Sequence, residues 1–253
     1  MAKYKLGIDV GGTFTDFILI SETGDTTVHK ALSTPEDPSI GVMKGLQDLA
    51  EIINLKSPLK KGGSGNIREM LEGFIKNIET IVHGTTVATN ALLTLKGVKT
   101  ALITTKGFRD ALEMRRGIRE EQYNNHYRNV TPLVPRYLRL TVDERIDAQG
   151  NVITPLDEND LLPFIKFLKK EKVKSVAVCF MNAFKNSAHE EKAIAFLKKQ
   201  LPSCFITAST EVLPSIRFYE RISTVAVNAY IGPIVANYLN NLITKLDDIN
   251  FTG

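Results

Sequence analysis

The feature of the sequence that most constrains the fold is a Gly-Gly turn between two apolar runs near the start of the chain. Residues 6–20 read LGIDVGGTFTDFILI, and Gly11-Gly12 divides this stretch into two mostly apolar halves. Short apolar runs joined by a glycine-rich turn predict two paired strands. A third run, Thr26–Ser33, follows a Gly24-Asp25 turn signal, so the start of the chain predicts an antiparallel meander.

The rest of the chain alternates between helix-like and strand-like segments. Such alternation predicts a largely parallel sheet with helices on its faces. The predicted helices are Ser39–Ile53, Ile67–Lys76, Phe108–Arg115, Glu158–Lys170, Ser187–Lys199 and a tail from about Ile216 to Leu246 that is interrupted at Gly232-Pro233. The predicted strands are Thr80–Thr85, Thr100–Thr105, Ser175–Phe180 and Cys204–Thr210.

We therefore expect an α/β fold with a mixed sheet, an antiparallel N-terminal meander and flanking helices. Residues 1–75 supply the meander and the first helices, and residues 76–253 supply the alternating part of the same domain. Residues 117–145 interrupt the alternation, because they are rich in Arg, Asn, Tyr and Pro. A loop of this length in a compact domain is usually either functional or an excursion toward a partner.

Composition argues against several classes of protein. The formal net charge is +4 over 253 residues and the basic residues form no long run, so no nucleic-acid partner is expected. No apolar stretch approaches the roughly 18–20 residues that span a bilayer, so no membrane partner is expected. Cys179 and Cys204 lie in apolar strand-like runs, which is typical of reduced thiols in a cytoplasmic protein.

The turn between the first two strands carries the residue types of a phosphate site. Gly11 and Gly12 permit a positive φ and a close approach of the backbone to a ligand, because they have no Cβ atom. Successive backbone N–H groups in such a turn form a concave anion site. The hydroxyls of Thr13 and Thr15 are further donors to phosphate oxygens.

Two carboxylates border this turn. Asp9 is the candidate ligand of Mg²⁺, through water, because Mg²⁺ keeps several of its own waters. Asp16 is expected to orient the loop or to assist the metal. The alternative is a plain hairpin, for which Gly-Gly is an ordinary turn signal. Two carboxylates and two threonines in so short a stretch favour the binding site.

The turn differs from the two commonest phosphate loops. The sequence has no G-x-x-x-x-G-K-[ST] motif, and its glycines lead into a strand rather than into the helix of a Rossmann fingerprint. A phosphate turn between two strands is typical of sugar kinases, actin and their relatives. The sequence therefore predicts a ribonuclease-H-like lobe of the actin-like ATPase type.

A second motif makes the resemblance more specific. Residues 83–90, HGTTVATN, resemble the signature of the hydantoinase A/5-oxoprolinase family, N-terminal domain. At Met181–Phe184 the chain departs from the Leu-His-Ser-Tyr of many relatives, so a role tied to that histidine is absent here. The resemblance continues along almost the whole chain, at Asn90–Leu93, Thr104–Asp110, Leu133–Arg136, Asp143–Ile146, Ala188–Glu190 and Tyr219–Thr224.

The resemblance implies an ATP-dependent enzyme that activates a lactam or cyclic amide carbonyl by phosphorylation. It implies ATP and Mg²⁺ as cofactors, a hydantoinase B-type partner subunit and a second lobe outside these 253 residues. Two alternatives stay open. One is an ATP-using subunit of an acetone- or acetophenone-type carboxylase with a ketone substrate. The other is a nucleotide-binding regulatory module without a lactam substrate.

The second motif also supplies the catalytic candidates, His83, Thr85, Thr86 and Asn90. We expect His83 to bind substrate or to act as an acid or base, because imidazole titrates near neutral pH. The alternative is a histidine that only caps the turn.

A group of arginines is the candidate for substrate binding. The guanidinium groups of Arg115 and Arg116, together with Arg119, suit a planar carboxylate or phosphate. A solvated helix end is an equally good explanation of the same residues.

Three other charged segments are expected to be structural. Glu144 and Arg145 predict an ion pair inside the fold, and Glu220 and Arg221 are expected to fix the start of the last helix. The segment Ser187–Glu190 has the pattern of a helix capping box.

Overall fold

The computed structural model describes residues 3–56, 66–118 and 120–253. Residues 57–65, whose composition suggests a surface connection, and Arg119 lie outside the described residues. The described chain is α/β and divides into two compact units, Met1–Leu95 with Ile234–Gly253 and Lys96–Pro233. The expected division of one domain at residue 75 stays a prediction.

The first unit is built on a four-stranded sheet. β1 (Tyr4–Val10), β2 (Phe14–Ser21) and β3 (Thr26–Leu32) pair antiparallel, which confirms the predicted meander. β4 (Ile78–Thr85) pairs parallel with β1, so the strand order is β3-β2-β1-β4. The helices of this unit are α1 (Pro38–Lys56), α2 (Ile67–Ile75), α3 (Val87–Leu93) and the last part of α8 (Phe218–Asp247).

One face of this sheet lies in the core and the other is exposed. Side chains alternate between the two faces along a strand, and Leu6, Ile8 and Val10 of β1 are buried. The intervening Asp9 is exposed. The buried face packs in one cluster with apolar side chains from the helices, among them Leu46, Leu49, Phe74, Ile75, Tyr238 and Leu242.

The second unit contains the predicted parallel sheet. β5 (Thr100–Thr105), β6 (Arg139–Val142), β9 (Ser175–Cys179) and β10 (Phe205–Ala208) are parallel, in the order β10-β9-β5-β6. Every residue of β5 and β9 is buried, as expected for central strands of a parallel sheet. The other elements are β7 (Arg145–Ile146), β8 (Val152–Thr154), α4 (Ala111–Met114), α5 (Leu162–Lys170), α6 (Ala188–Gln200), α7 (Ser209–Val212) and the first part of α8.

The predicted excursion at 117–145 is partly regular. A short 3₁₀ turn, Arg136–Leu138, leads into β6, which forms one edge of the parallel sheet, and β7 begins at Arg145. The strand β6 has only four residues, and its buried residues, Arg139 and Val142, do not follow the alternation of polar and apolar types along it.

The last helix is continuous. α8 runs through Pro233, so the predicted interruption at Gly232-Pro233 is wrong. Proline removes one helical hydrogen bond, and residues of the helix on both sides of it are buried, among them Ala229 and Tyr238. α8 meets the length and composition of a membrane-spanning helix, although no such stretch is expected from the sequence. Its buried side chains instead belong to the protein cores, at Ile222, Val225, Ala226, Ala229, Tyr238 and Leu242.

Candidate functional site

The glycine-rich turn joins β1 to β2 and is fixed by a few hydrogen bonds. The N–H of Gly11 donates to the carbonyl oxygen of Phe14 (3.0 Å), and the N–H of Ser33 donates to the carbonyl oxygen of Thr13 (2.9 Å). The hydroxyl of Ser33 also donates to the carbonyl oxygen of Gly11 (2.9 Å). The residue that follows β3 therefore holds the turn in place.

Gly11 and Gly12 are required because a side chain would not fit at either position, and not because of their backbone conformation. The described glycines with positive φ lie elsewhere, so the expected positive φ at Gly11 and Gly12 is wrong. A Cβ atom on Gly11 would lie 2.9 Å from the carbonyl oxygen of Phe14, and one on Gly12 would lie 3.0 Å from Nδ2 of Asn90. Any larger residue would force these neighbours to move.

The two threonines of the turn differ in exposure. Thr13 is exposed, whereas Thr15 is fully buried and its hydroxyl shares a hydrogen bond with that of Ser33 (3.0 Å). The backbone N–H groups of Gly12 and Thr13 have no acceptor among the described residues. Donors to an external anion are therefore available at Gly12 and Thr13. Thr15 supports the turn from inside, contrary to its expected role.

β4 brings the second motif against this turn. The carbonyl oxygen of Val10, at the end of β1, accepts a hydrogen bond from the N–H of Thr86 (3.0 Å) and lies 3.4 Å from the hydroxyls of Thr85 and Thr86. In α3, Nδ2 of Asn90 donates to the hydroxyl of Thr86 (3.1 Å). The same amide faces Gly12. The two motifs are therefore adjacent at one end of β1 and β4.

A row of residues crosses the exposed face of the sheet beside the turn. Asp9 is the register partner of Asp16 in β2 and of Gly84 in β4, and Asp16 is the partner of Lys30 in β3. The Nζ atom of Lys30 lies 2.7 Å from Oδ1 of Asp16. Asp9 forms no salt bridge within the described part of the chain. The row therefore presents one paired and one unpaired carboxylate.

His83 lies on the opposite face of the sheet from Asp9. It is the register partner of the buried Ile8, and its Nε2 atom shares a hydrogen bond with the hydroxyl of Tyr238 (2.8 Å). Its Nδ1 atom is buried without a partner among the described residues. Burial lowers the pKa of His83, and the nearby charge of Asp9 opposes this effect. His83 therefore packs beneath the site and does not join Asp9 on the exposed face.

The donor set suits a metal that accompanies a nucleotide rather than a protein metal cage. Within residues 3–56, 66–118 and 120–253, no group of three or more His, Cys, Asp or Glu side chains is placed to hold a metal. Mg²⁺ at nucleotide sites needs only one or two carboxylates, since waters and phosphates complete its shell. Asp9 fits this description. A Cβ atom on the neighbouring Gly84 would lie 3.2 Å from Oδ1 of Asp9, so a glycine there leaves space beside the carboxylate.

The candidate arginines belong to the second unit and are already paired. Arg115 has a φ of 56° and forms a salt bridge with Glu120 (2.6 Å), and Arg116 forms one with Glu220 (2.5 Å). The hydrogen bond that Arg115 donates to the Glu120 carboxylate raises the pKa of Arg115. The substrate-clamp interpretation therefore gains no support from their surroundings, and Arg119 lies outside the described residues.

A buried polar network in the second unit was missed by the sequence interpretation. Glu190 does not cap α6 but is fully buried, and its carboxylate accepts hydrogen bonds from the N–H of Phe180 (2.8 Å) and the hydroxyls of Ser209 (2.6 Å) and Thr210 (2.8 Å). Arg221, also buried, donates to Ser209 (3.0 Å) and to the carbonyl oxygen of Phe180 (2.6 Å). Arg221 therefore does more than start α8.

The predicted Glu144–Arg145 ion pair is replaced by another contact. The carboxylate of Glu144 is buried and lies 2.7 Å from Nδ1 of His189, whereas the guanidinium of Arg145 lies over the ring of Phe108. The sequence did contain a signal for the burial of Glu190. The buried positions of α6 recur with helical spacing, and Glu190 is one of them. Those positions are His189, Glu190, Ala193, Ile194 and Leu197.

Comparison with known proteins identifies relatives of this chain. The chain is 36% identical over 249 residues to the alpha subunit of caprolactamase from Pseudomonas jessenii, covering 98% of this chain and 34% of that protein. It is 31% identical over 262 residues to the gamma subunit of acetophenone carboxylase from Aromatoleum aromaticum, again covering 98% of this chain and 34% of the relative. The chain therefore spans about a third of the length of these relatives.

Comparison with solved structures also finds a caprolactamase. The crystal structure of ATP-dependent caprolactamase from Pseudomonas jessenii matches 97% of this chain and 34% of its own with a TM-score of 0.83. This likeness confirms the predicted fold class and is consistent with a lobe of the actin-like ATPase type. The model of the hydantoinase/oxoprolinase N-terminal region matches residues 5–201. The chain belongs to the hydantoinase/oxoprolinase family and corresponds to its N-terminal region.

Proposed function

We propose that this chain is the nucleotide-phosphate-binding part of an ATP-dependent enzyme that hydrolyses a cyclic amide. The observation that carries the proposal is the contact between the Gly11–Thr13 turn and the Thr85–Asn90 segment at the carboxyl ends of β1 and β4. Ligands of open α/β sheets bind outside the carboxyl ends of the strands. The likeness to an ATP-dependent caprolactamase supports ATP and a lactam as substrates.

The phosphate contacts come from the turn. The N–H groups of Gly12 and Thr13 and the Thr13 hydroxyl donate to phosphate oxygens, because they are exposed and have no acceptor among the described residues. Asn90, held by Thr86, borders the turn on the side of Gly12. Thr85 and Thr86 act by tying β4 to the end of β1.

Asp9 is the residue that holds Mg²⁺, directly or through one of its waters. Mg²⁺ bound with ATP neutralises charge on the β- and γ-phosphates during transfer. Asp9 suits this role because it is exposed, forms no salt bridge in the described residues and has a glycine beside it. Asp16 is not assigned to the metal, since Lys30 already occupies its carboxylate.

The chemistry that follows is phosphoryl transfer. ATP supplies the phosphoryl group that activates the amide carbonyl for attack by water. Residues of this chain hold the reacting end of the nucleotide, and such positioning is the main contribution of the protein to phosphoryl transfer. His83 contributes by packing beneath the turn rather than by contact with the reacting atoms.

The remaining parts of the enzyme lie outside these residues. Because the relatives are about three times as long, we place the rest of the nucleotide site and the lactam site in a second lobe. The matched relatives are named as subunits, which supports a partner subunit. We propose that this partner is of the hydantoinase B type.

The proposal is tested by ATP hydrolysis with the full-length protein and its partner subunit. Caprolactam, 5-oxoproline and a hydantoin are supplied in turn, and the Asp9→Asn variant is the comparison. We expect turnover that depends on a lactam and falls at least about 100-fold in Asp9→Asn, in line with the loss of a key electrostatic contact in phosphoryl transfer. Unchanged turnover in Asp9→Asn contradicts the assignment of the turn.

The likeness to an acetophenone carboxylase subunit favours one second candidate. An ATP-using carboxylase subunit would show turnover only with a ketone and bicarbonate in the same assay. Nucleotide binding without turnover on any of these compounds would instead indicate a regulatory module.

A further inference from the structure

We propose that Lys30 balances the charge of the nucleotide site by pairing with Asp16, so that Asp9 alone presents a free carboxylate beside the phosphate turn. This inference rests on the proposed function. It gives Lys30 a positioning role toward the nucleotide, which that proposal does not assign.

The register of the sheet places two carboxylates directly opposite each other. Asp9 in β1 and Asp16 in β2 are register partners, and opposite residues of an antiparallel pair have Cβ atoms only about 4.5–5.5 Å apart. Both side chains lie on the face of the sheet opposite the buried Ile8 and Phe17. Like charges so placed repel each other and also repel the phosphates of a bound nucleotide.

Lys30 removes one of these charges from the site. It is the register partner of Asp16 on the outer side, and its Nζ atom lies 2.7 Å from Oδ1 of Asp16. The ring of Phe14, with its centroid 5.0 Å from Nζ, holds the ammonium group in a second contact. Because the pair is about half exposed, with side-chain exposures of 55% and 49%, the contribution of this pair to stability is small. Its effect on the charge beside Asp9 is the larger consequence.

The position of Lys30 argues against direct contact with phosphate. It lies on β3, separated from Asp9 on β1 by the whole of β2, and neighbouring strands are about 4.8 Å apart. Its ammonium group is also already engaged by Asp16. Lys30 therefore acts on the nucleotide through Asp16.

The test uses four variants of the full-length protein with its partner subunit: Lys30→Gln, Lys30→Arg, Asp16→Asn and the double variant Lys30→Gln/Asp16→Asn. We expect Lys30→Gln to raise the KM for MgATP about three- to tenfold at low ionic strength with kcat unchanged, as one uncompensated surface charge predicts. Lys30→Arg, Asp16→Asn and the double variant are expected to stay within about twofold of the wild type. Added salt should reduce the defect of Lys30→Gln, because exposed charges are screened.

Two results overturn the inference while leaving the proposed function intact. One is a Lys30→Gln protein with the wild-type KM. The other is a defect that persists in the double variant, which shows that Lys30 contacts the nucleotide itself. Asp9→Asn, measured alongside, tests the proposed function separately, because unchanged turnover in that variant contradicts the assignment of the phosphate turn whatever the result for Lys30→Gln. Thermal unfolding of each variant confirms that it is folded.

Discussion

Asn90 and Gly12 are in contact, since a Cβ atom on Gly12 would lie only 3.0 Å from Nδ2 of Asn90. These residues come from two motifs that are far apart in the sequence. The amide of Asn90 is itself held by a hydrogen bond to the hydroxyl of Thr86 (3.1 Å). The glycine turn and the HGTTVATN segment are therefore one site, and its geometry depends on the absence of a side chain at position 12.

This contact predicts the effect of Gly12→Ala. The added methyl group should displace the Asn90 amide and the turn, and weaken MgATP binding about tenfold, in line with the usual cost of overpacking. The change is measured by calorimetric titration of the full-length protein. Gly73→Ala is the matched control, because no atom lies within 4 Å of a Cβ atom there and helices favour alanine over glycine. Equal MgATP affinity in the two variants would contradict the proposed crowding.

The contact between His83 and Tyr238 predicts a loss of stability without loss of chemistry. Tyr238→Phe removes the hydrogen bond to Nε2 of His83 (2.8 Å) and should lower the free energy of unfolding by about 1 kcal/mol. Turnover at saturating ATP should change little, because His83 lies on the other face of the sheet from Asp9. A large loss of kcat in a Tyr238→Phe protein that unfolds normally would restore His83 as a catalytic candidate.

Burial of His83 also predicts a pH dependence of stability. Its pKa in the folded protein is lowered from 6.5, mainly by burial, so the unfolded state binds the proton more tightly. The contribution of His83 to stability is therefore complete above about pH 6.5 and is lost as the pH falls toward the lower folded-state pKa. Denaturant unfolding at pH 7.5, 6.5 and 5.5 should show a steeper loss for the wild type than for His83→Asn. Parallel curves would show that this histidine does not titrate between these values.

The buried carboxylate of Glu190 predicts that the stability of the second unit depends strongly on this one residue. Glu190→Ala should reduce the free energy of unfolding by about 3–5 kcal/mol, because it leaves the guanidinium of the buried Arg221 without its nearby countercharge (3.9 Å). The neighbouring Glu191 is exposed, so Glu191→Ala is the control and should cost less than about 1 kcal/mol. Chemical denaturation compares the two variants. Similar losses in both would mean that the network contributes little.

Close packing of α1 on β2 predicts the effect of Gly45→Ala. A Cβ atom at this helix position would lie 2.1 Å from the ring of the buried Phe17, so the helix or the ring must shift. We expect a loss of about 1–3 kcal/mol, although alanine is the better helix former. Thermal unfolding measures it, again with Gly73→Ala as the control. A stabilised Gly45→Ala protein would show that the helix moves away at no cost.

The sequence alone determined the local elements and the family. The apolar runs and turns around Gly11-Gly12 predicted the meander, because strand pairing over so short a distance depends on nearby residues. The alternation of helical segments with apolar runs such as Thr100–Thr105 and Ser175–Phe180 predicted the parallel sheet, because parallel strands are usually joined by a helical crossover. The motif at 83–90 indicated the family, which the comparisons confirm.

Tertiary structure decided which of the candidate side chains lie on the same face of the sheet. The face on which a strand residue lies depends on its register with its neighbours, and no single segment contains that information. The sequence predicts a metal role for Asp9 and a catalytic role for His83, and the structure places them on opposite faces of the sheet, because β4 pairs with β1 in the register of Gly84 with Asp9. Thr15 is buried for the same kind of reason, and Glu190 becomes the centre of a network because α6 turns it inward. Residue types and their order therefore predicted the elements and the chemistry available, whereas pairing and packing over long distances selected the residues that form the site.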